Sequence, residues 1–314
     1  MTIEDPFKDS EEERDRITEE QKAQIRSLYR EALRELKKSF KYYANSDSIS
    51  APLKMVYIKQ IKKEIDESMS YIDRSTEKII TQNTDKMVNY VLENNQKYLT
   101  GLGYNSYINN PEIKVDVVNR IISGDLYKGK WNLSSAIWGD NQAKLNEINK
   151  IIAKGLIKNK SLYEISKSLE RYVSPRAYKT YEWSKMFPGS RKKVDYNAQR
   201  LARTMIQHAY QQSLVEATRM NPFVVGYRWV TSGAHNVCQL CLERESQDDY
   251  GLGEGVYPKD ELPLDHPNGN CTFEIVTEYT DDEMASIIKQ WQDGTLDDEM
   301  ANDLDDFENF LENY

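Results

Sequence analysis

The sequence predicts a mainly α-helical protein with a small α+β module and a long helical N-terminal arm. Apolar residues recur at spacings of three and four through most of the chain, which is the period of an amphipathic helix. The pattern changes to alternation at two places, 227–231 and 273–276, which predicts two short strands. All three cysteines of the 314-residue chain lie between these strands.

The N-terminal third is predicted to be a flexible segment followed by a helical hairpin. Residues 1–17 are polar and rich in charge, so we expect them to be mobile and not to form a secretory signal. A helical stripe follows, formed by Ile25, Leu28, Tyr29, Ala32, Leu36, Phe40 and Tyr43. The helical pattern is interrupted at 46–52 and resumes to about residue 100. Two long helices with a short connection predict a helical hairpin or arm over 18–110.

Residues 111–277 are predicted to form the main domain, with a β module over 226–277. Helical patterns at 145–156 and 161–169 flank a short turn, which fits a plain helical hairpin or a DNA-reading helix-turn-helix. The plain hairpin is favoured, because no set of base-contacting residues can be identified. A further helix over 198–214 ends before the Asn-Pro pair at 221–222.

The net charge of −9 is unevenly distributed. Residues 278–314 hold 13 acidic side chains and one basic side chain. Thr280 and Glu283 form a capping-box pattern there, and apolar residues recur at helical spacing, so an acidic helical tail is predicted. Such a tail would be a disordered solubiliser, a helix that binds a basic partner, or a cover for a basic segment; the apolar spacing favours a helix.

A basic segment precedes the 198–214 helix, and aromatic residues alternate with its cations. Cations neutralise phosphates and aromatic rings stack on bases, so this segment is a candidate contact for DNA. A solvated loop, or a loop that docks on an acidic protein surface, explains the same pattern. The candidate contact residues are Arg171, Arg176, Lys179, Lys185, Arg191, Lys192 and Lys193.

The three cysteines form a metal-ligand pattern with a histidine. Cys238 and Cys241 are separated by two residues, and His266 and Cys271 by four, with 24 residues between the pairs. Three thiolates and one imidazole are a donor set that structural Zn²⁺ prefers, which predicts a zinc knuckle with a closed, non-catalytic site. On spacing alone, His235 competes with His266 for the metal.

Other functions of these residues are less well supported by the sequence. One alternative is that the cysteines are three unrelated buried thiols, but such thiols would not be expected to have the spacing of metal ligands. Another is a nucleophilic pair of Cys238 with His266, but this pair would need a third group to orient the histidine. The signatures of zinc deaminases and metalloproteases are absent from the sequence. A nuclease or toxin-like enzyme would have to use scattered acids: Glu243, Glu245, Asp248 and Asp249.

Several of these residues resemble one protein family. The blocks are Ala202-Arg203-Thr204, Gly226-Tyr227-Arg228-Trp229-Val230, the two cysteines of the C-x-x-C pair, and Leu264-Asp265-His266-Pro267-Asn268 followed by Cys271. They resemble the minor head, or head morphogenesis, proteins of tailed bacteriophages, typified by the phage Mu F protein. The resemblance covers about residues 131–277, including Trp131 and Trp138.

The chain departs from the family pattern at two positions. Met205 follows Arg203-Thr204 where the family has glutamate, and Gly269 stands where the family has the first cysteine of its H-P-x-C-x-C block. The resemblance favours His266 over His235 as the histidine ligand, and Gly269 leaves Cys271 as the fourth ligand.

The resemblance implies a structural virion component and not an enzyme. Such a protein docks at the portal vertex inside the phage head, after assembly in the host cytoplasm, and in some phages leaves with the genome. The implied partners are the portal protein, scaffolding or capsid proteins and packaged double-stranded DNA, with no membrane contact in the virion. The alternative is a zinc-stabilised nucleic-acid-binding protein.

Overall fold

The computed structural model is mostly helical, with one small antiparallel sheet. It describes residues 6–44, 51–104, 111–123, 125–126, 150–152, 154, 164, 196–233, 237–267 and 269–313. The described helices are α1 (Pro6–Ala44), α2 (Ala51–Gly101), α3 (Pro111–Ser123), α4 (Tyr196–Thr218), α5 (Gln239–Ser246), α6 (Asp281–Gln292) and α7 (Asp298–Asn313). The strands are β1 (Val224–Val230), β2 (Val256–Pro258) and β3 (Thr272–Thr277). The predicted fold class is confirmed.

The sheet has the order β2-β1-β3, and both pairs are antiparallel. Tyr227 in β1 lies opposite Tyr257 in β2 and Ile275 in β3. The alternating patterns predict β1 and β3, whereas β2, with three residues, is too short to produce an alternating pattern of its own. We call residues 224–277, which contain the three strands and α5, the β module.

The chain forms two compact units. The first contains residues 1–19, 81–122 and 203–314, and the second contains residues 20–80 and 123–202. Both long helices are thus divided between units, whereas the sequence places 18–110 in a single arm. In the second unit most of the predicted apolar residues are buried, namely Ile25, Leu28, Tyr29, Ala32, Leu36, Ile61, Ile65, Met69 and Ile72. Val56, which also fits the helical pattern, is 57% exposed, and the side chains of Phe40 and Tyr43 lie outside the described ones.

The beginning of α1 corrects one sequence prediction. Residues 1–17 are predicted to be flexible, but α1 begins at Pro6, a residue that favours the first turn of a helix. Arg14 and Ile17 are 3% and 0% exposed. Hydrophobic periodicity misses this segment because its buried face is largely polar: the Ser10 hydroxyl accepts a hydrogen bond from Asn94 Nδ2 at 3.1 Å.

The acidic C-terminal segment is helical, and its apolar face is covered by the chain itself. Thr280 and Glu283 form the predicted capping box at the start of α6. Apolar residues of α6 and α7 form a buried cluster with the end of α2 and the loop after it, comprising Leu99, Leu102, Tyr104, Phe223, Met284, Ile288, Leu304, Phe307 and Leu311. The Tyr104 hydroxyl donates to the Leu304 carbonyl at 3.1 Å. These helices are therefore part of the core of the first unit.

Tyr227 provides a pH-dependent test of the packing between β1 and α4. Burial raises the pKa of Tyr227 to about 12, although its hydrogen bond with Thr218 (2.8 Å) acts in the opposite direction. The unfolded chain would lose this proton near pH 10, so the folded state loses stability as pH rises from about 10 to 12. At about pH 11 this loss amounts to ~1.4 kcal/mol.

We expect Tyr227→Phe to abolish this alkaline loss. Urea unfolding of wild type and Tyr227→Phe at about pH 8 and pH 11 measures this loss. Between the two pH values, the free energy of unfolding of the variant should rise by ~1.4 kcal/mol relative to that of wild type. An unchanged difference would mean that the phenol of Tyr227 is not buried in the folded protein.

Candidate metal centre

The structure brings the four predicted metal ligands together in the β module. Donor atoms of Cys238, Cys241 and His266 lie within 4.8 Å of one another, and those of Cys241, Cys271 and Asp265 do the same. The Cys238 sulfur is 3.3 Å from His266 Nε2. Because Cys241 belongs to both groups, the four side chains form one continuous cluster, and this cluster can hold a metal ion.

The two cysteines of the first pair share one tight turn. Cys238 is the N-cap residue of α5, and its carbonyl accepts hydrogen bonds from the amides of Cys241 (3.0 Å) and Leu242 (3.2 Å). These bonds wrap the chain around the cysteine pair, so that both sulfurs lie at the start of the helix. Cys238 is exposed and Cys241 is buried.

Packing around the sheet supports the position of Cys271. Cys271 directly precedes β3, and Phe273, two residues further along, packs edge-on against Trp229 of β1 at 5.1 Å between ring centroids. The Arg244 guanidinium covers the Trp229 ring at 4.6 Å and donates to the Leu264 carbonyl at 3.2 Å. Cys271, Trp229 and the loop that carries His266 are thereby connected.

Asp265 organises the loop between His266 and Cys271. It is 3% exposed, and its carboxylate accepts hydrogen bonds from the amide of His266 (2.7 Å) and the amide of Cys271 (3.4 Å). Gln207 Nε2 of α4 donates to the same carboxylate at 3.0 Å. Gln211 Oε1 accepts from the Asp265 amide at 3.0 Å. Helix α4 therefore holds the loop in place.

The sequence alone predicts no role for Asp265. The one sequence feature that points to a role for Asp265 is its position next to His266. This feature is weak, because an acidic residue beside a histidine is common and the sequence does not show which groups the carboxylate binds. Its partners Gln207 and Gln211 are more than 50 residues away, one helical turn apart on α4.

Burial favours the protonated form of two of the candidate ligand thiols, Cys241 and Cys271. Burial raises the pKa of Cys241, and its hydrogen bonds with Cys238 and Cys271 raise it further. Burial and then the charge of Asp265 raise the pKa of Cys271, while hydrogen bonds from Cys241, Trp229 and the Ser232 backbone act against this shift. A cation that binds here must displace these protons.

The surroundings of Cys271 suit a thiolate bound to a metal. The indole N–H of Trp229 is buried and has no nitrogen or oxygen acceptor among the described residues. A thiolate at Cys271 would supply an acceptor for this N–H and for the Ser232 amide. Donors of this kind around a ligand sulfur are usual in metal sites.

Gly269 is required by the position of Asp265. A Cβ atom at residue 269 would lie 2.1 Å from Asp265 Oδ2, far inside the contact distance of these atoms. A cysteine at this position, as in the resembled family, would have to displace the Asp265 carboxylate. The departure from the family pattern therefore agrees with the local packing of this chain.

Three of the four acids in the enzyme hypothesis have structural contacts. Glu245 accepts hydrogen bonds from the amide (2.8 Å) and hydroxyl of Thr231, and Asp248 accepts one from the Gly253 amide at 2.9 Å. Glu243 accepts one from Gln239 at 3.2 Å. In the ranges that the structure describes, the two overlapping groups above are the clusters of three or more metal-binding side chains.

His208 is a buried structural histidine. It is 2% exposed, its Nε2 lies 3.0 Å from the Asp265 carbonyl, and burial lowers its pKa. His235 and the seven residues of the basic segment lie outside the described residues. The same holds for Trp131 and Trp138 and for nearly all of the predicted 145–169 helices.

The candidate metal centre is thus the site that the described residues define best. Where the structure describes the chain, no helix has the length and apolar character needed to cross a membrane. Comparisons with protein-family models, with curated proteins and with solved structures find no match to this chain in any of the three.

Proposed function

We propose that Cys238, Cys241, His266 and Cys271 hold one structural Zn²⁺. The donor set supports this proposal, because three sulfurs and one imidazole nitrogen favour zinc over calcium or magnesium. With four protein ligands the metal has no open position for a substrate or a reactive water. Its contribution is to hold α5, the His266 loop and the start of β3 together.

The function that this site supports best is a minor capsid or head morphogenesis protein of a tailed phage. One observation carries the proposal: two of the four blocks that resemble the family meet at the metal cluster. They are the cysteine pair and the described part of the second block, residues 264–267 with Cys271. In this proposal the protein docks at the portal vertex inside the head, after assembly in the host cytoplasm.

The proposed partners are the portal protein, scaffolding or capsid proteins and packaged double-stranded DNA. The basic segment between Arg171 and Lys193 is the proposed DNA contact. The exposed acidic side chains of α6 and α7 are available to a basic partner, whereas the apolar face of these helices is buried in the first unit.

Co-purification with the portal protein tests this function. We expect the full-length chain to elute with a tagged portal protein of the same phage, and to be detected in purified virions by mass spectrometry. Cys241→Ser should lose portal binding if an intact β module is needed, while Glu243→Gln, an exposed change on the same helix, should retain it. Absence from both the portal complex and the virion would refute the proposal.

A DNA-binding assay separates the alternative, a zinc-stabilised nucleic-acid-binding protein. Binding to random-sequence duplex that weakens steeply between about 50 and 200 mM salt, without portal association, would favour that alternative. Neutralising Arg191, Lys192 and Lys193 together should then abolish binding. Portal association without DNA binding would remove DNA from the proposed partners.

A further inference from the structure

One buried arginine connects the beginning of α1 to the metal centre. Arg14 is 3% exposed, and its Nη1 donates a hydrogen bond to the carbonyl oxygen of Cys271 at 3.2 Å. Its guanidinium also lies over the Tyr210 ring at 5.2 Å from the centroid. The two bonded residues are 257 positions apart in the sequence, and both belong to the first compact unit.

Three side chains fix the backbone of Cys271. Its carbonyl accepts from Arg14 Nη1 and from Gln207 Nε2, the latter at 2.6 Å, and its amide donates to Asp265. These side chains come from α1, α4 and the His266 loop. The position of the sulfur therefore depends on the docking of α1, although no residue of α1 is a candidate ligand.

The Arg14 contact depends on the position of Cys271, which a bound metal would fix. Because the Cys271 carbonyl accepts the Arg14 hydrogen bond, a metal that holds the Cys271 sulfur would also hold this acceptor in place. The acidic partner of Arg14, Asp15, is 59% exposed, so water screens its charge.

We propose that Arg14 is a positioning residue for the metal centre, and that metal binding locks residues 8–18 of α1 onto the β module. This inference rests on the proposed zinc site. Coupling between two binding events is reciprocal, so docking of α1 must strengthen metal binding by the same free energy with which the metal stabilises docking. Loss of the metal would then release the beginning of α1 and expose its polar buried face.

Hydrogen exchange on the full-length protein tests the coupling directly. We expect the amides of residues 8–18 to be protected in protein loaded with Zn²⁺ and to exchange at least ~10-fold faster after chelation. The Ser10–Asn94 hydrogen bond joins the same segment to α2 and does not involve the metal site. If the Ser10–Asn94 contact alone keeps α1 docked, the amides of residues 8–18 will stay protected after chelation while those of residues 238–271 lose their protection. That result would show the inference to be wrong.

Two variants of Arg14 and a matched control complete the experiment. Arg14→Gln should release zinc to a chromophoric chelator about 10-fold more readily than wild type, as is typical when a residue that supports a metal ligand is lost. Arg14→Lys is a more conservative change, because it keeps the positive charge, and it should release zinc only slightly more readily than wild type. Arg16→Gln is the control, because Arg16 is 53% exposed on the same helix and pairs with Glu13.

The outcomes distinguish this inference from the zinc proposal. Wild-type protein that binds no Zn²⁺ would overturn both. Zinc bound equally well by wild type, Arg14→Gln and Arg16→Gln would leave the zinc site standing and overturn the role of Arg14. Weaker zinc binding in Arg14→Gln alone, with loss of the metal-dependent protection at 8–18, would support the coupling.

Discussion

Purified full-length protein is expected to contain about one zinc ion per chain, and Cys241→Ser to contain none. Cys241 is the central member of the cluster, because its sulfur belongs to both groups of donor atoms and is 2% exposed. A serine hydroxyl is a poor ligand for zinc, and the remaining three donors would be left around a buried hydroxyl. Elemental analysis of both proteins measures this difference.

The loss of zinc is expected to unfold the β module. Structural zinc sites contribute on the order of 10 kcal/mol to folding, which is comparable to the whole stability of a typical domain. The shortest elements of the module, β2 with three residues and α5 with eight, are expected to lose their structure first. Thermal unfolding followed by near-ultraviolet circular dichroism, which reports Trp229, should show a large decrease in Tm after chelation.

A control variant separates loss of metal from loss of local structure. Glu243→Gln changes an exposed side chain on the same helix, so it should bind zinc and unfold like wild type. The zinc proposal would be refuted by wild-type protein that is free of metal and as stable as before after exposure to a chelator.

The helical part of the fold could be predicted because its signals are local. The apolar stripe from Ile25 to Leu36 and the capping box at Thr280 involve residues three or four positions apart, which face each other on any helix. The beginning of α1 could not be predicted in this way. Its buried face contains Ser10 and Arg14, whose partners, Asn94 and Cys271, are distant in the sequence.

In the metal centre, too, some residues could be predicted from the sequence and others could not. Cysteine spacing predicts the ligands, because two thiols separated by two residues fit one tight turn and zinc requires few other donors. The residues that position the ligands carry no such signal. Asp265, Gln207 and Arg14 act through hydrogen bonds to backbone atoms, which any sequence provides, so only the folded chain shows that they meet.

Gly269→Ala is expected to destabilise the protein by at least ~3 kcal/mol, the upper range for forcing one extra carbon into a packed interior. The new methyl group would lie 2.1 Å from Asp265 Oδ2, and the carboxylate would have to leave the amides of His266 and Cys271. Each abandoned buried donor costs about 1–3 kcal/mol. Urea unfolding and zinc retention measure the effect.

Gly251→Ala is the matched control for this substitution. It lies in the same module, has nothing within 4 Å of the added carbon, and has a φ of +67°. Alanine there should cost about 1–2 kcal/mol, for the left-handed backbone alone. Equal costs at the two glycines would contradict the proposed packing at residue 269.

A double-mutant cycle with Asp265→Ala attributes the cost to one contact. Asp265→Ala removes the carboxylate that an alanine at 269 would strike, so Gly269→Ala should cost far less in that background than in wild type. If Gly269→Ala costs the same in both backgrounds, another atom or the backbone is responsible. A strong interaction in the cycle would also explain the glycine in this chain: Asp265 occupies the space that a side chain at 269 would need, and Cys271 remains to complete the ligand set.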